Sequence, residues 1–571
     1  MQSDLLINMK NSFLALIAVA TAVLCACSTH GTTVSVKDFG AIPDDGINDA
    51  EALRKAAEFC RTHAGTTLVF PTGVYDFSDP EAAKIEREAI DGTYGYGLQV
   101  QRYLFIPTKP YVTGLDFTGA KDLTIEAYGA KLMVEGWMEV LAFIRCKNVT
   151  VKGLQIDYKR HNNIEAVITD ISGDIITAEF DPDFYKYSDK VVQGRTEFYD
   201  PVAGQFFDCD GGITGSPEPG KVLFKFTKNN AKVGDLLIIR HGGHYRPCYM
   251  LRESENMTLK DIIIYSFPGM GVVGHETTDI LLDHIQIVPY PGRYTTTTTD
   301  ATHFTSCRGT ITIQNCMFRG CLDDCTNIHN YYWYPYAQED ENQVEIRVEK
   351  ADLHAQSLDY THKGDTLNLI NRRTLEHYDK FVVCAVDTSW VDWKVVVTLD
   401  KPITKDQCDS CFLYNNTFTY ANIVNNTVVS KSGRAFYVKV PRAYVGYNKI
   451  MKTSMTALKL GGELWWHEAG PMRDIVVEHN YISECNYLYN FLPYPDWDGS
   501  VIYVTSDVEE HGPYVNSGLI VRNNVFADNY GKTIVLNDCE NCQFYDNVCP
   551  DFGITEIHCN NITVDGRPNE Q

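Results

Sequence analysis

Three carboxylates set the chemistry open to this chain of 571 residues: Asp300, which closes the run TTTTTD, and the adjacent pair Asp323-Asp324 in CLDDCTN. Asp300 and Asp323 are 23 residues apart. In a stacked coil of strands that interval puts two residues on neighbouring rungs, roughly 5 Å from each other. Acids so close cannot all ionise near neutral pH. Mutual repulsion raises the pKa of at least one, so a protonated acid stands beside an ionised base. Cleavage of a glycosidic bond requires that pairing.

The acids meet only if the chain is such a coil, and a recurring phrase says that it is. A polar residue, an aliphatic, a β-former, another aliphatic and then alternating apolar residues recur as KDLTIEA at Lys121, KNVTVKGLQI at Lys147, ENMTLKDIII at Glu255, TDILLDHIQI at Thr278 and GTITIQNCMF at Gly309. The phrase returns at Ala421, Arg473, Ser517, Asn541 and Asn560. Asn256 to Asp279 spans 23 residues, Asn422 to Tyr444 spans 22 and Gly518 to Cys542 spans 24. Self-similarity over short β-rich units marks a solenoid. Val, Ile and Thr fill its flat faces, while Asn and Asp suit corners that need left-handed backbone. The Asn-x-Thr triplets at Asn148, Asn256 and Asn425 fit such corners better than they fit glycan acceptors.

VKDFGAIPDDGINDAEALRKAAEFC followed by LVFPTGVYDF reads as a strand, a Gly/Pro/Asp turn, an amphipathic helix from about Asp49 to Arg61 and a second strand. The helix would cap the open end of the coil, whose bare strand edges would otherwise invite aggregation. Two stretches lose the phrase and carry short alternating strands instead, around VGDLLIIR at Val233 and KGDTLNLI at Lys363. The expected class is therefore all-β: a right-handed parallel β-helix with an N-terminal capping helix and two inserted β-barrel-like domains. The boundaries are a signal segment over 1–27, β-helix over 32–159, an insert over 160–245, central coils with the acids over 246–332, a second insert over 333–413 and C-terminal coils over 414–571.

A formal charge of −24 repels polyanions, so nucleic acid is excluded as a partner, whereas a neutral sugar is not repelled. Polygalacturonate would need a basic subsite, for which Arg434, Lys439 and Arg442 form the one local cluster. The apolar run FLALIAVATAVLCAC reads as an export signal rather than a membrane span. Leu24-Cys25-Ala26-Cys27 resembles a bacterial lipobox, with Cys27 the lipidated residue. The expected location is thus the bacterial cell envelope or periplasm, with membrane contact through that lipid alone. Among 18 cysteines, Cys408-x-x-Cys411 and Cys539-x-x-Cys542 have zinc-like spacing, but buried reduced thiols in the coil fit better. No metal and no cofactor is expected.

The opening segment resembles that of β-helix proteins of the pectate-lyase and polygalacturonase superfamily. TTD ending at Asp300 and DDC from Asp323 are also similar to the polygalacturonase pattern, but the Gly-His-Gly and Arg-Ile-Lys that continue it do not follow here. DATHFTSCRG from Asp300, LDDCTNIHN from Leu322, SGRAFYV from Ser432 and ALKLGGELWW from Ala457 more closely resemble glycoside hydrolase family 110, over most of the chain. The resemblance implies exo-hydrolysis of terminal α-1,3-linked galactose from a galactose-terminated glycan, with inversion. By analogy with the polygalacturonase arrangement, Asp323 is the expected acid and Asp300 with Asp324 the water-activating pair. Adjacent strand residues point to opposite faces, so Asp323 and Asp324 converge only at a bend, for which Gly320 provides.

Around these acids, His303 and His329 are candidates for binding sugar hydroxyls or orienting a carboxylate. Arg434 is a candidate hydroxyl ligand or acid partner, and Glu463 a fourth carboxylate. Trp465 and Trp466 suit either a platform for a sugar face or the core. Two other readings remain at this stage: a pectin-active hydrolase and a non-catalytic glycan-binding β-helix.

Overall fold

The computed structural model describes residues 31–91, 93, 111–183, 195–208, 210–228, 230–241, 245–347, 361–389, 391–392, 394–490 and 499–569. Cys27 and the apolar run lie outside them. Among the described residues no helix is long and apolar enough to cross a membrane.

The chain winds into a right-handed parallel β-helix with three strand ladders. One ladder runs through Thr33–Ser35, Thr67–Val69, Lys121–Glu126, Lys147–Lys152, Glu255–Lys260, Thr278–Asp283 and Arg308–Gln314, then on through Tyr420–Val424 and Arg442–Gly446. These are the repeated phrases of the sequence, stacked in register. A second ladder carries Glu139–Ile144, Tyr249–Arg252, Val272–His275, Thr302–Thr305, Thr326–Tyr331, Phe436–Val438 and Leu458–Leu460. A third of ten short strands starts at Gly73–Ser78 and ends at Val525–Ala527. Alternation does the sorting: Gly274, Phe304, Ile328, Val438 and Leu460 turn inward, and all but the glycine join one core running the length of the coil.

The corners are left-handed, as the Asn and Asp residues suggest: Asn148, Asn256, Asp279 and Asn425 all have φ between 54° and 58°. The residue after the corner does more. Asn426, Asn448, Asn480, Asn524 and Asn547 form a ladder of side-chain amides, each Nδ2 donating to the next Oδ1 at 2.9–3.0 Å. Their amides also satisfy inward-facing carbonyls, for instance Asn448 Nδ2 to the Ile423 oxygen at 2.9 Å.

The capping helix spans Ala50–Thr62 and buries Leu53, Ala56, Ala57 and Cys60 against the first rung. A second helix, Pro80–Ile90, adds to it; the Asp79 side chain caps it by accepting from the Glu81 and Ala82 N–H groups. Among the described residues fifteen cysteines are free thiols, all buried except Cys384, Cys549 and Cys559. Cys408 and Cys411 lie in the second insert's core, Cys539 and Cys542 in that of the coil.

The first insert is a seven-stranded antiparallel sheet from Asn163–Ser172 to Leu236–Arg240. It fits the barrel-like expectation: Gln205–Asp208 and Asp210–Gly215 follow each other in the chain with one residue between, and this run pairs with Arg195–Asp200 on one side and Lys221–Lys228 on the other, which brings the two ends of the sheet together. The coil packs against it: the Phe206 N–H donates to the Tyr487 hydroxyl at 2.7 Å, and Phe206 packs with Leu322. The second insert closes as well. Its six strands run from Pro335–Ala337 to Cys411–Asn415, and Trp333 and Leu413 exchange backbone hydrogen bonds at 2.8 and 3.0 Å. Neither insert disturbs the winding: Leu141 pairs with Tyr249 across the first and Ile311 with Ala421 across the second.

Candidate active site

The second ladder sets the acids. Thr302 pairs with Thr326 and Thr326 with Phe436. Two residues upstream, the same register puts Asp300, Asp324 and Arg434 side by side on three successive rungs. Backbone bonds hold them there: the Ala301 N–H donates to the Asp324 carbonyl at 2.9 Å and the Cys325 N–H to the Arg434 carbonyl at 3.1 Å. The interval is thus 24 residues rather than 23, and the rung partner of Asp300 is Asp324. Asp323 sits one residue off, in a bend before the strand, where adjacent side chains need not oppose. Two glycines accommodate the bend. Gly320 has φ +69°, and a Cβ there would come within 2.3 Å of the Tyr294 carbonyl; Gly433, on the next rung at φ +76°, packs against Asp323 and Asp324, where a Cβ would lie 3.1 Å from the Asp323 backbone.

Asp300 and Asp324 are buried and Asp323 is half-buried. Burial, then the charges of Asp323 and Asp324, holds the Asp300 carboxyl well above the usual range. Burial also raises Asp324, while Arg434 opposes the rise. Arg434 does so through its N–H, 3.0 Å from Asp324 Oδ1, and its guanidinium Nη1, 3.3 Å from Oδ2. Lys431, wholly buried, donates to the Asp323 and Arg434 carbonyls and adds positive charge to the patch.

His303 and His329 continue from Asp300 as a proton chain. His329 Nδ1 lies 2.8 Å from the Asn330 carbonyl and must donate to it; the two Nε2 atoms are 3.0 Å apart, and His303 Nδ1 is 2.8 Å from Asp300 Oδ2. Burial lowers His303 to about 4 and His329 to about 3, so both rings are neutral near pH 7. His329 Nε2 is then a bare acceptor and His303 donates to it, which leaves His303 Nδ1 an acceptor in turn. The remaining proton is therefore on Asp300.

Glu468, which the motifs did not single out, anchors the far end. It lies 3.4 Å from His329 Nε2 and takes an ion pair from buried Lys439, whose Nζ also donates to Asn327 Oδ1 at 2.8 Å. Despite burial, His329, which is protonated in the acid range where Glu468 titrates, and Lys439 hold Glu468 well below the usual range. Glu463 is buried, accepts the Tyr437 hydroxyl at 2.8 Å and pairs with Lys459 at 3.8 Å. Glu463 and Glu468 exchange backbone hydrogen bonds across a tight turn, at whose tip Trp465 and Trp466 are 60% and 36% exposed, which removes the core reading of this pair. The trio of cations also separates: Arg434 serves Asp324, Lys439 serves Glu468, and Arg442 lies elsewhere, between the coil and the second insert.

The first insert braces the backbone behind the acids. Buried Arg240 donates through Nη1 to the carbonyls of Thr298, at 2.8 Å, and Leu322, at 2.7 Å, while its Nη2 pairs with Glu197 at 2.8 Å. Both carbonyls lie within two residues of an acid. Glu165 accepts the Tyr294 and Thr295 N–H groups in the same way.

A parallel β-helix whose outer face gathers three carboxylates around one retained proton defines a class: a β-helix protein equipped for acid–base cleavage of a glycosidic bond. No family model matches the chain. It is 28% identical over 485 residues to alpha-1,3-galactosidase A of Bacteroides fragilis, covering 80% of this chain and 77% of the relative. Alpha-1,3-galactosidase A of Shewanella woodyi is 26% identical over 510 residues, with 83% and 80% covered, and alpha-1,3-galactosidase B of Bacteroides thetaiotaomicron 23% over 506, with 82% and 78% covered. These relatives bear out the resemblance to glycoside hydrolase family 110. Similar solved structures include a family 28 exopolygalacturonase of Yersinia enterocolitica, at 13% identity and TM-score 0.39 over 95% of this chain and 80% of that one. A mannuronan C-5 epimerase module of Azotobacter vinelandii is 10% identical at TM-score 0.40, over 93% and 98%.

Proposed function

We propose that this protein is an exo-acting glycoside hydrolase that releases terminal α-1,3-linked galactose from glycans with inversion. The stacking of Asp300, Asp324 and Arg434 on three rungs, with Asp323 beside them, carries the reading. The names of the relatives supply the linkage and the sugar. Asp323, the most open of the three, protonates the leaving oxygen. Asp324, whose charge Arg434 favours, takes the proton of the attacking water; Asp300 holds that water, and His303 and His329 fix the Asp300 carboxyl. Trp465 and Trp466 offer exposed rings to a sugar face, and Glu463 an acceptor for a hydroxyl. Cys27 anchors the exported chain by lipid, a reading that rests on the sequence motif.

Proton NMR at early times tests the mechanism: β-galactose appears first from a terminal α-1,3-galactoside, and α-galactose first would overturn inversion. Each of Asp300→Asn, Asp323→Asn and Asp324→Asn lowers kcat by about 10²–10⁴-fold. Near-normal turnover in the variants would refute the assignment. Shortening of pectic chains with no galactose release would favour the pectin-active reading instead.

A further inference from the structure

A second cavity lies away from the acids, where the second insert meets the coil. Its volume is about 720 Å³, within the usual range for a small-molecule site. His377 and Lys380 come from the insert, Arg442 and Arg473 from the coil, and the rings of Tyr414 and Tyr420 complete the wall. Among the described residues no acidic side chain lines it. A smaller cavity of about 350 Å³ shares His377, Tyr414, Pro471 and Arg473 with it and brings in Glu376, so the two form one cleft with its cationic end in the larger part.

The cations are not there to close the interface. Of the ion pairs among the described residues, none involves Lys380, Arg442 or Arg473; Arg473 Nη1 donates to the Val515 carbonyl at 2.5 Å, and His377 Nε2 lies 3.3 Å from Asn368 Oδ1. The acids around it are engaged or open to solvent: Asp379, which also bears on His377, pairs with Lys401 at 2.7 Å, Glu376 lies in the smaller cavity, and Asp474, the cross-strand neighbour of Arg442, is exposed. In a chain of charge −24, Lys380, Arg442 and Arg473, with His377, concentrate positive charge on one cavity wall. The cavity also adjoins the acid patch through one side chain. Asn330, next to His329, donates to the carbonyls of Asn415, at 3.1 Å, and Thr417, at 2.7 Å, on the segment that carries Tyr414 and Asn416 into the cavity wall.

We propose that this cleft binds an anionic sugar: guanidinium and ammonium groups take a carboxylate or sulfate, and Tyr414 and Tyr420 take the ring. The site acts by binding alone and stands whether or not the chain turns over galactosides. Titration calorimetry of the full chain with sialyllactose, galactose 6-sulfate and neutral lactose tests it, alongside the double variant Lys380→Gln/Arg442→Gln. Binding of either anionic probe, weakened at least tenfold in the variant and by added salt, is the expected result, and which probe binds distinguishes carboxylate from sulfate as the group held. Hydrolysis of a small neutral α-1,3-galactoside stays unchanged in the variant if the acid patch is the active site. Equal binding of lactose, equal affinity in the variant, or no binding of either anion at millimolar concentration overturns the proposal.

Discussion

A proton kept on Asp300 and a charge favoured on Asp324 make Arg434 the residue that tunes the site. Arg434 lowers the Asp324 pKa, so in Arg434→Gln the base ionises only at higher pH. The acid limb of kcat/KM against pH is therefore displaced upward in that variant, a shift that a pH–rate profile reads directly. Elsewhere, Glu276 illustrates burial without catalytic use: its carboxyl is pushed up from 4.5 to about 8, chiefly by burial. Between those values the unfolded chain ionises and the folded one does not. Stability thus falls as pH rises from about 4.5 toward 8 and levels beyond. In Glu276→Gln that slope disappears, so its Tm advantage over the parent is small at pH 5 and wide above pH 8, as thermal melts at the two values would record. The acid trio was legible because its members stand about one coil apart in the sequence. Glu468 and Lys431 were not, and Lys439 was read only as part of a basic cluster: a lysine at a strand end reads as solvent-facing, and Glu468 reaches the site by a hairpin turn that breaks the repeat.

Strands and corners show the same division between what a pattern reveals and what it hides. Periodic Val, Ile and Thr announced the ladders, and Asn or Asp announced the left-handed backbone at many of the corners, though not at those of Tyr447 and His479. The amide ladder one residue further on was invisible, since an Asn in a turn reads as a local cap until its neighbours on other rungs are known. In Asn480→Ala the Asn448 backbone N–H loses the Oδ1 that accepts it, and the Val445 carbonyl loses the Asn480 amide that donates to it. Each buried group so stranded costs about 1–3 kcal/mol, and the urea midpoint falls accordingly. The helix Pro80–Ile90 went unread because its apolar positions are few and its Asp79 cap resembles an ordinary loop acid.

Arg240 links an insert to the spine, and nothing in the sequence marked it, because the insert has no repeat against which to measure its residues. Arg240→Met leaves the buried Glu197 carboxylate without its partner, a loss of about 3–5 kcal/mol. It also releases the carbonyls of Thr298 and Leu322. Thermal melting and turnover of Arg240→Met should therefore fall together, and the double variant Arg240→Met/Glu197→Leu should regain stability without regaining full rate. Full recovery of both would show that the brace does not hold the acids in place.

The winding resumes at Tyr249 and again at Ala421 as though nothing had intervened. Each excursion is thus a parenthesis in the spiral: what lies inside can be rewritten while the sentence around it still parses. Trading the second parenthesis for another of matched ends would re-shape the cleft it makes with the coil without asking the spine to fold anew.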